Sequence, residues 1–213
     1  MSKGHIPEKE LKTDAFLTSM DKFLIYYKEN KTTVQWIAIG ALGLVVVVIF
    51  SAHFIRYKAH KAQQAFDTAV TKEEMTAFIE NYDNDKFTPI VLYKKGNLLY
   101  EENDYRQALE SFEQIVNNYK DSQIVDSAYL GMGYAYTQLQ EFDKARAAFE
   151  TVVNNFKNSA FRAEAQVNLA QMLIRDGNYA EAKKVVDALL DAEPNSLFAE
   201  SAKSLLPVIK RNL

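Results

Sequence analysis

One residue pattern recurs at a fixed spacing of 37, and it constrains this chain more than any other feature. Gly96, Tyr100, Asp104-Tyr105, Ala108, Phe112 and Asp121-Ser122 form the first copy. Gly133, Phe142, Ala145, Phe149 and Asn158-Ser159 form the second, and Ala170, Asn178-Tyr179, Ala182, Val186 and Asn195-Ser196 the third. An ordinary amphipathic helix explains helical spacing but not this register. A period of this length means stacked supersecondary units, each too small to bury its own apolar face.

Each unit reads as a helical hairpin. An apolar-periodic run ends in a polar turn (Glu102-Asn103-Asp104, Leu139-Gln140-Glu141, Asp176-Gly177-Asn178), and a second run follows. Gly96, Gly133 and Ala170 are expected to face Ala108, Ala145 and Ala182, so that the paired helices approach closely. Phe112, Phe149 and Val186 then fill the seam to the next hairpin. This small, small, bulky order resembles the tetratricopeptide repeat. Repeat 3 departs from it with Ala170 and Val186, and only repeat 3 carries the expected proline, Pro194. The aromatic, x, Asp/Asn, Ser ending of the first two units resembles the repeats of bacterial envelope proteins.

The expected fold class is all-α: a single transmembrane helix followed by an α-solenoid. The solenoid holds three clear 37-residue repeats, a degenerate first hairpin and a C-terminal capping helix. Seven glycines and four prolines suit a nearly all-helical chain. With no cysteine there is no disulfide, zinc-thiolate site or thiol nucleophile. Net charge is −3 but uneven: residues 1–61 sum to +4 and residues 62–213 to −7. An acidic repeat region excludes nucleic acid as the partner, because phosphates need a basic footprint. His5, His53 and His60 are the only histidines, and none lies in the repeats. No phosphate-cradling loop or converging set of titratable groups points to catalysis, so neither enzyme activity nor a cofactor is expected.

Four segments follow. Residues 1–31 form a tail, polar and unstructured over 1–12, with an amphipathic helix from Asp14 that carries Phe16, Met20, Phe23 and Tyr27. That helix suits a membrane surface or a docking partner equally, or only precedes the anchor. Residues 32–55 hold no charge, and 24 helical residues span roughly 36 Å, enough for a hydrocarbon core of about 30 Å. Trp36 and Tyr57 sit at its two ends, as interfacial aromatics do. The apolar run is too long for a cleaved signal peptide. Local charges leave orientation undecided, but six lysines in the tail lean toward the tail inside and the repeats outside. Residues 56–88 continue the membrane helix into a degenerate hairpin with no Gly/Ser linker, and Thr71-Lys72-Glu73-Glu74 is a capping box. Residues 89–213 hold the repeats, with Thr88 as a cap ahead of Pro89. A final helix over Leu197–Leu206 follows, which Pro207 bends or stops.

Stacked hairpins present their first helices on a concave face. Projection of the repeat places Tyr93, Asn97, Tyr100, Leu130, Tyr134, Thr137, Gln171 and Arg175 there. Aromatics and amides without a basic cluster suit an extended peptide or a partner's helix. Tyr93 and Glu164 stand where a carboxylate-clamping repeat domain would need lysine, so that mode is excluded.

The order of these parts, with Lys28-Glu29-Asn30-Lys31 before the span and Asn103-Asp104-Tyr105 and Gly177-Asn178-Tyr179 in the turns, resembles the YfgM family. The resemblance covers most of the chain from Asp14. It implies a protein of the bacterial inner membrane, with a cytoplasmic N-terminus and a periplasmic repeat domain. It also implies an ancillary partner of the Sec translocon, working with a PpiD-like membrane-anchored chaperone on exported clients. Two other readings stay open: an envelope assembly or division factor, and a cytosol-facing membrane receptor for client proteins.

Overall fold

The structure is a computed structural model that describes the backbone of residues 8–213 and the side chains from Thr18 onward. Ten helices and no strands occur among the described residues. They fall into two compact units, one ending at His60 and one starting at Lys61.

Helix α1 (Glu8–Glu29) lies in the first unit, and helix α2 (Lys31–Thr68) starts there, with its residues from Lys61 on belonging to the second. Residues 1–7 lie outside the described part of the chain, but Glu8–Lys12, expected to be unstructured, open α1. Helix α1 carries no single apolar stripe over its described side chains. Phe23 to Tyr27 are five consecutive apolar residues, and at about 100° per residue they circle the axis. Helix α2 is long and apolar enough to cross a membrane, with a mean hydropathy of 2.5 over its most apolar stretch, none of it buried.

In the second unit the 37-residue register becomes geometry. First helices α4 (Thr88–Glu101), α6 (Val125–Gln138) and α8 (Arg162–Arg175) start 37 residues apart. So do second helices α5 (Tyr105–Asn118), α7 (Phe142–Asn155) and α9 (Tyr179–Ala192). Each helix packs on the next along the chain. Helix α3 (Lys72–Asn81) packs on α4, and α10 (Leu197–Arg211) closes the stack against α8 and α9. The result is a helical-hairpin solenoid.

Both kinds of turn repeat atom for atom. Within each hairpin Asn103, Gln140 and Gly177 take φ of 65°, 60° and 76°. The next residue's N–H then reaches back to the carbonyl of Leu99, Tyr136 or Leu173 at 2.8 to 2.9 Å. This left-handed cap satisfies carbonyls that the helix end would orphan. Gly177 adopts the conformation without strain, Asn103 tolerates it, and Gln140 adopts it at a cost of about 1 kcal/mol. Between hairpins, Asp85, Ser122, Ser159 and Ser196 donate their N–H to residues 82, 119, 156 and 193 at 2.9 to 3.1 Å. Four copies of this bond, not three, place α3 as the second helix of a degenerate hairpin and α10 as a first helix beyond the third repeat. The end of α2 completes that degenerate hairpin: Phe66 lies edge-on to Phe78 at 6.4 Å and stacks on Phe87 at 4.6 Å.

The capping box forms as expected, with Thr71 accepting from the Glu74 N–H and the Glu74 carboxylate accepting from the Thr71 N–H. Thr88 is not a cap. It is fully buried inside the first turn of α4, and its hydroxyl donates to the Tyr82 carbonyl. Nor does Pro207 stop the last helix, which runs on to Arg211 because fully buried Ile209 anchors its final turn in the core.

The glycines also make room for aromatic rings. A Cβ on Gly96 would lie 2.6 Å from the ring of Phe112, and one on Gly131 would lie 2.7 Å from the same ring. A Cβ on Gly133 would lie 2.4 Å from the ring of Phe149. The missing side chains are notches for aromatic rings, and Phe112 fills notches in two successive hairpins. In repeat 3 the notch carries a methyl at Ala170, and the register partner shrinks to Val186. Both are buried in one core cluster, so the two departures read as one matched exchange. Gly133→Ala is therefore expected to cost about 1–3 kcal/mol by overpacking. Combined with Phe149→Val, it should show a favourable coupling of about 0.5 kcal/mol or more in a double-mutant cycle of chemical denaturation. Strict additivity would mean that the notch does not hold the ring.

Candidate protein-binding face

The expected face residues all lie on first helices: Tyr93, Asn97 and Tyr100 on α4, Leu130, Tyr134 and Thr137 on α6, Gln171 and Arg175 on α8. Hydrogen bonds tie these helices side by side. Gln138 Nε2 donates to Tyr100 Oη at 3.3 Å across α4 and α6. Tyr134 Oη donates to the Glu164 carboxylate, and Asn168 Nδ2 donates to Tyr134 Oη at 3.1 Å, across α6 and α8.

The individual side chains differ in what they offer. Gln171 and Arg175 are exposed; Tyr93, Asn97, Tyr100, Tyr134 and Thr137 are half-buried. Leu130 is only 5% exposed and belongs to the core, so it offers no surface to a partner. Its register equivalents are Tyr93 and Val167, and Val167 is buried too. This repeat position faces inward in Leu130 and Val167, whereas Tyr93 is half-buried with its ring against Phe112, 5.8 Å away. Thr137 spends its hydroxyl on the Gly133 carbonyl at 2.7 Å, one turn back on its own helix. Arg175 sits 3.5 Å over the Phe142 ring and pairs with Asp176 at 3.0 Å.

The other cations of the first helices are similarly engaged. Lys94 lies 4.3 Å over the Phe66 ring, Lys95 donates to the Thr76 hydroxyl at 2.9 Å, and Arg162 donates to the Val153 carbonyl at 3.2 Å. Asn168 and Gln138 did not stand out in the sequence, and Glu164 did so only as a residue that rules out a carboxylate clamp. The only other signal was the i, i+4 spacing of Glu164 and Asn168 as polar breaks in the apolar run Ala163–Ala170. No group of three His, Asp or Glu residues able to hold a metal ion occurs among the described residues.

Three tyrosines have phenols shifted upward: Tyr119, through burial and the nearby Asp83 charge, Tyr134 and Tyr136. Burial first, then the hydrogen bond to Glu164 and its charge, raise that of Tyr134. Burial and the hydrogen bond to Glu113, at 2.9 Å, push that of Tyr136 from the usual 10 up to about 12. A folded-state value above the unfolded one means that the fold is favoured while the phenol keeps its proton. That contribution is complete below pH 10 and lost as pH rises from 10 to 12. Denaturation measured across this window should show a steeper fall in stability for the native chain than for Tyr136→Phe. Parallel curves would mean that Tyr136 does not contribute.

Residues 25–206 match the family described as tetratricopeptide repeat-like domain. Similar solved structures include a tetratricopeptide repeat protein from Parabacteroides merdae ATCC 43184, with a TM-score of 0.55 and 20% identity over 66% of this chain and 53% of that one. This chain thus spans about half the length of that protein. The Cut9–Hcn1 hetero-tetramer of the APC/C matches with a TM-score of 0.50 and 19% identity, over 66% of this chain and 26% of that one. The first tetratricopeptide domain of Spaghetti (RPAP3), bound to the HSP90 peptide SRMEEVD, matches with a TM-score of 0.49 and 21% identity, over 60% and 94%. These identities speak to fold alone. A search of curated proteins found no significant match. The repeated notches, turns and first-helix face thus sit within a match that takes in most of the sequence, and the chain belongs to the tetratricopeptide repeat-like domain family.

Proposed function

We propose that this protein is a membrane-anchored, non-enzymatic scaffold that holds protein partners along the first-helix face of its repeats. The observation that carries this reading is the face itself: three first helices tied side by side, presenting aromatic rings and amides. Aromatic rings there bury area while their hydroxyls keep hydrogen bonds, as interface tyrosines do. The apolar helix α2 supplies the anchor. The resemblance in layout to the YfgM family supports a finer reading: an ancillary subunit beside the Sec translocon of the bacterial inner membrane. In that reading the repeats are periplasmic, and a membrane-anchored chaperone and exported clients are the partners.

Orientation is tested directly, because the chain has no cysteine. A single cysteine in place of exposed Asp121 should be labelled by an impermeant maleimide in intact spheroplasts. Labelling only after lysis would place the repeats in the cytosol and favour the client-receptor reading.

The face is tested by photo-crosslinking in cells. A crosslinker at exposed Gln171, on the first-helix face, should capture a translocon subunit, a membrane-anchored chaperone or an exported client. One at exposed Lys157, in a turn between hairpins, should capture much less. Equal capture at both positions would remove the face from the binding role.

A further inference from the structure

The hydrogen bonds between α6 and α8 have a direction. Asn168 Nδ2 donates both to its own helix, at the Glu164 carbonyl 2.9 Å away, and to Tyr134 Oη at 3.1 Å. The tyrosine hydroxyl has one proton, and it goes to Glu164 Oε1. The chain therefore runs from amide to phenol to carboxylate and ends on acceptors. An ionised carboxylate has about four lone-pair sites, and one is used here. No Lys or Arg among the described residues makes an ion pair with Glu164, and every ion pair in the repeats lies elsewhere. Glu164 is half-buried, where a charge without a cation is costly and an incoming donor counts for more than in open water.

From this geometry we infer that Glu164, held by Tyr134 and Asn168, is a subsite for a cationic side chain, so that the first-helix face takes an extended peptide segment carrying arginine or lysine. The inference rests on the reading of that face as the binding face. Charge complementarity extends beyond the one residue. Lys94, Lys95, Arg162 and Arg175 are held by an aromatic ring, a hydroxyl, a carbonyl and Asp176 with a ring, respectively. Residues 62–213 carry a net charge of −7. A peptide's carboxylate end finds no uncommitted cation among these four. A guanidinium finds an oriented carboxylate, and it donates to two oxygens at once in the planar geometry that arginine favours.

The test uses the full chain in detergent micelles and two fluorescently labelled peptides with blocked ends. Their apolar residues are identical, and the central residue is arginine in one and glutamine in the other. Fluorescence anisotropy at low salt should show the arginine peptide binding roughly tenfold more tightly, about 1.4 kcal/mol. Added salt should narrow the gap. Glu164→Gln still accepts the Tyr134 proton, so the helices stay tied, and it should abolish the preference. Glu113→Gln, on α5 beneath Tyr136, should leave it intact. If both peptides bind equally, or Glu164→Gln keeps the preference, the cationic subsite is wrong while the face stands. If neither peptide binds, both the subsite and the face reading fall.

Discussion

The repeat region depends on an aromatic ring filling the space that an absent side chain leaves. The Phe112 ring comes within 2.6 and 2.7 Å of where Cβ atoms on Gly96 and Gly131 would be, and the Phe149 ring within 2.4 Å of one on Gly133. Both rings are almost completely buried. Such a contact does two things at once. It removes a large apolar surface from water, at roughly 25 cal/mol per Å², and it sets how closely neighbouring helices approach. Interiors are packed too tightly for a ring and a methyl to share one notch. Repeat 3 keeps the packing by changing both members, to Ala170 and Val186.

A two-helix hairpin cannot bury both faces of its seam, so each unit is stable only through its neighbours. The identical hydrogen bonds at residues 85, 122, 159 and 196 hold successive hairpins at one repeated offset, which lets the rings meet their notches. The ends of the stack need other devices. At the start, Phe66 at the end of α2 packs on Phe78 and Phe87 in place of a full hairpin. At the far end α10 keeps Ala199, Ala202 and Ile209 inward and turns Glu200, Lys203 and Lys210 to solvent.

The first-helix face is built over the same contacts. Tyr93 and Tyr134 lie against Phe112 and Phe149, at 5.8 and 5.7 Å. The packing that holds the hairpins together thus also sets the height of the face aromatics. Two hydroxyls of the face are tied to neighbouring helices: that of Tyr134 donates to Glu164 and that of Tyr100 accepts from Gln138. What the face has left for a partner is ring surface, amides, the Tyr100 proton and the remaining lone pairs of Glu164.

Sequence alone determined what is local or periodic. The 37-residue register required stacked hairpins, and Thr71 with Glu74 formed its capping box, because both bonds of that motif lie within four residues. The uncharged run from residue 32 to 55 defined an apolar helix long enough for a bilayer for the same reason: composition acts without a fold. Tertiary structure decided the rest. Whether Gly133 served a backbone or a ring, whether Leu130 faced a partner or the core, and whether Pro207 ended a helix each depended on atoms distant in sequence. Ile209 holds the turn after Pro207 only because the core is there to receive it. The link from Asn168 through Tyr134 to Glu164 joins residues 30 and 34 positions apart. No spacing rule within one helix could have shown it, since it exists only once α6 and α8 lie side by side.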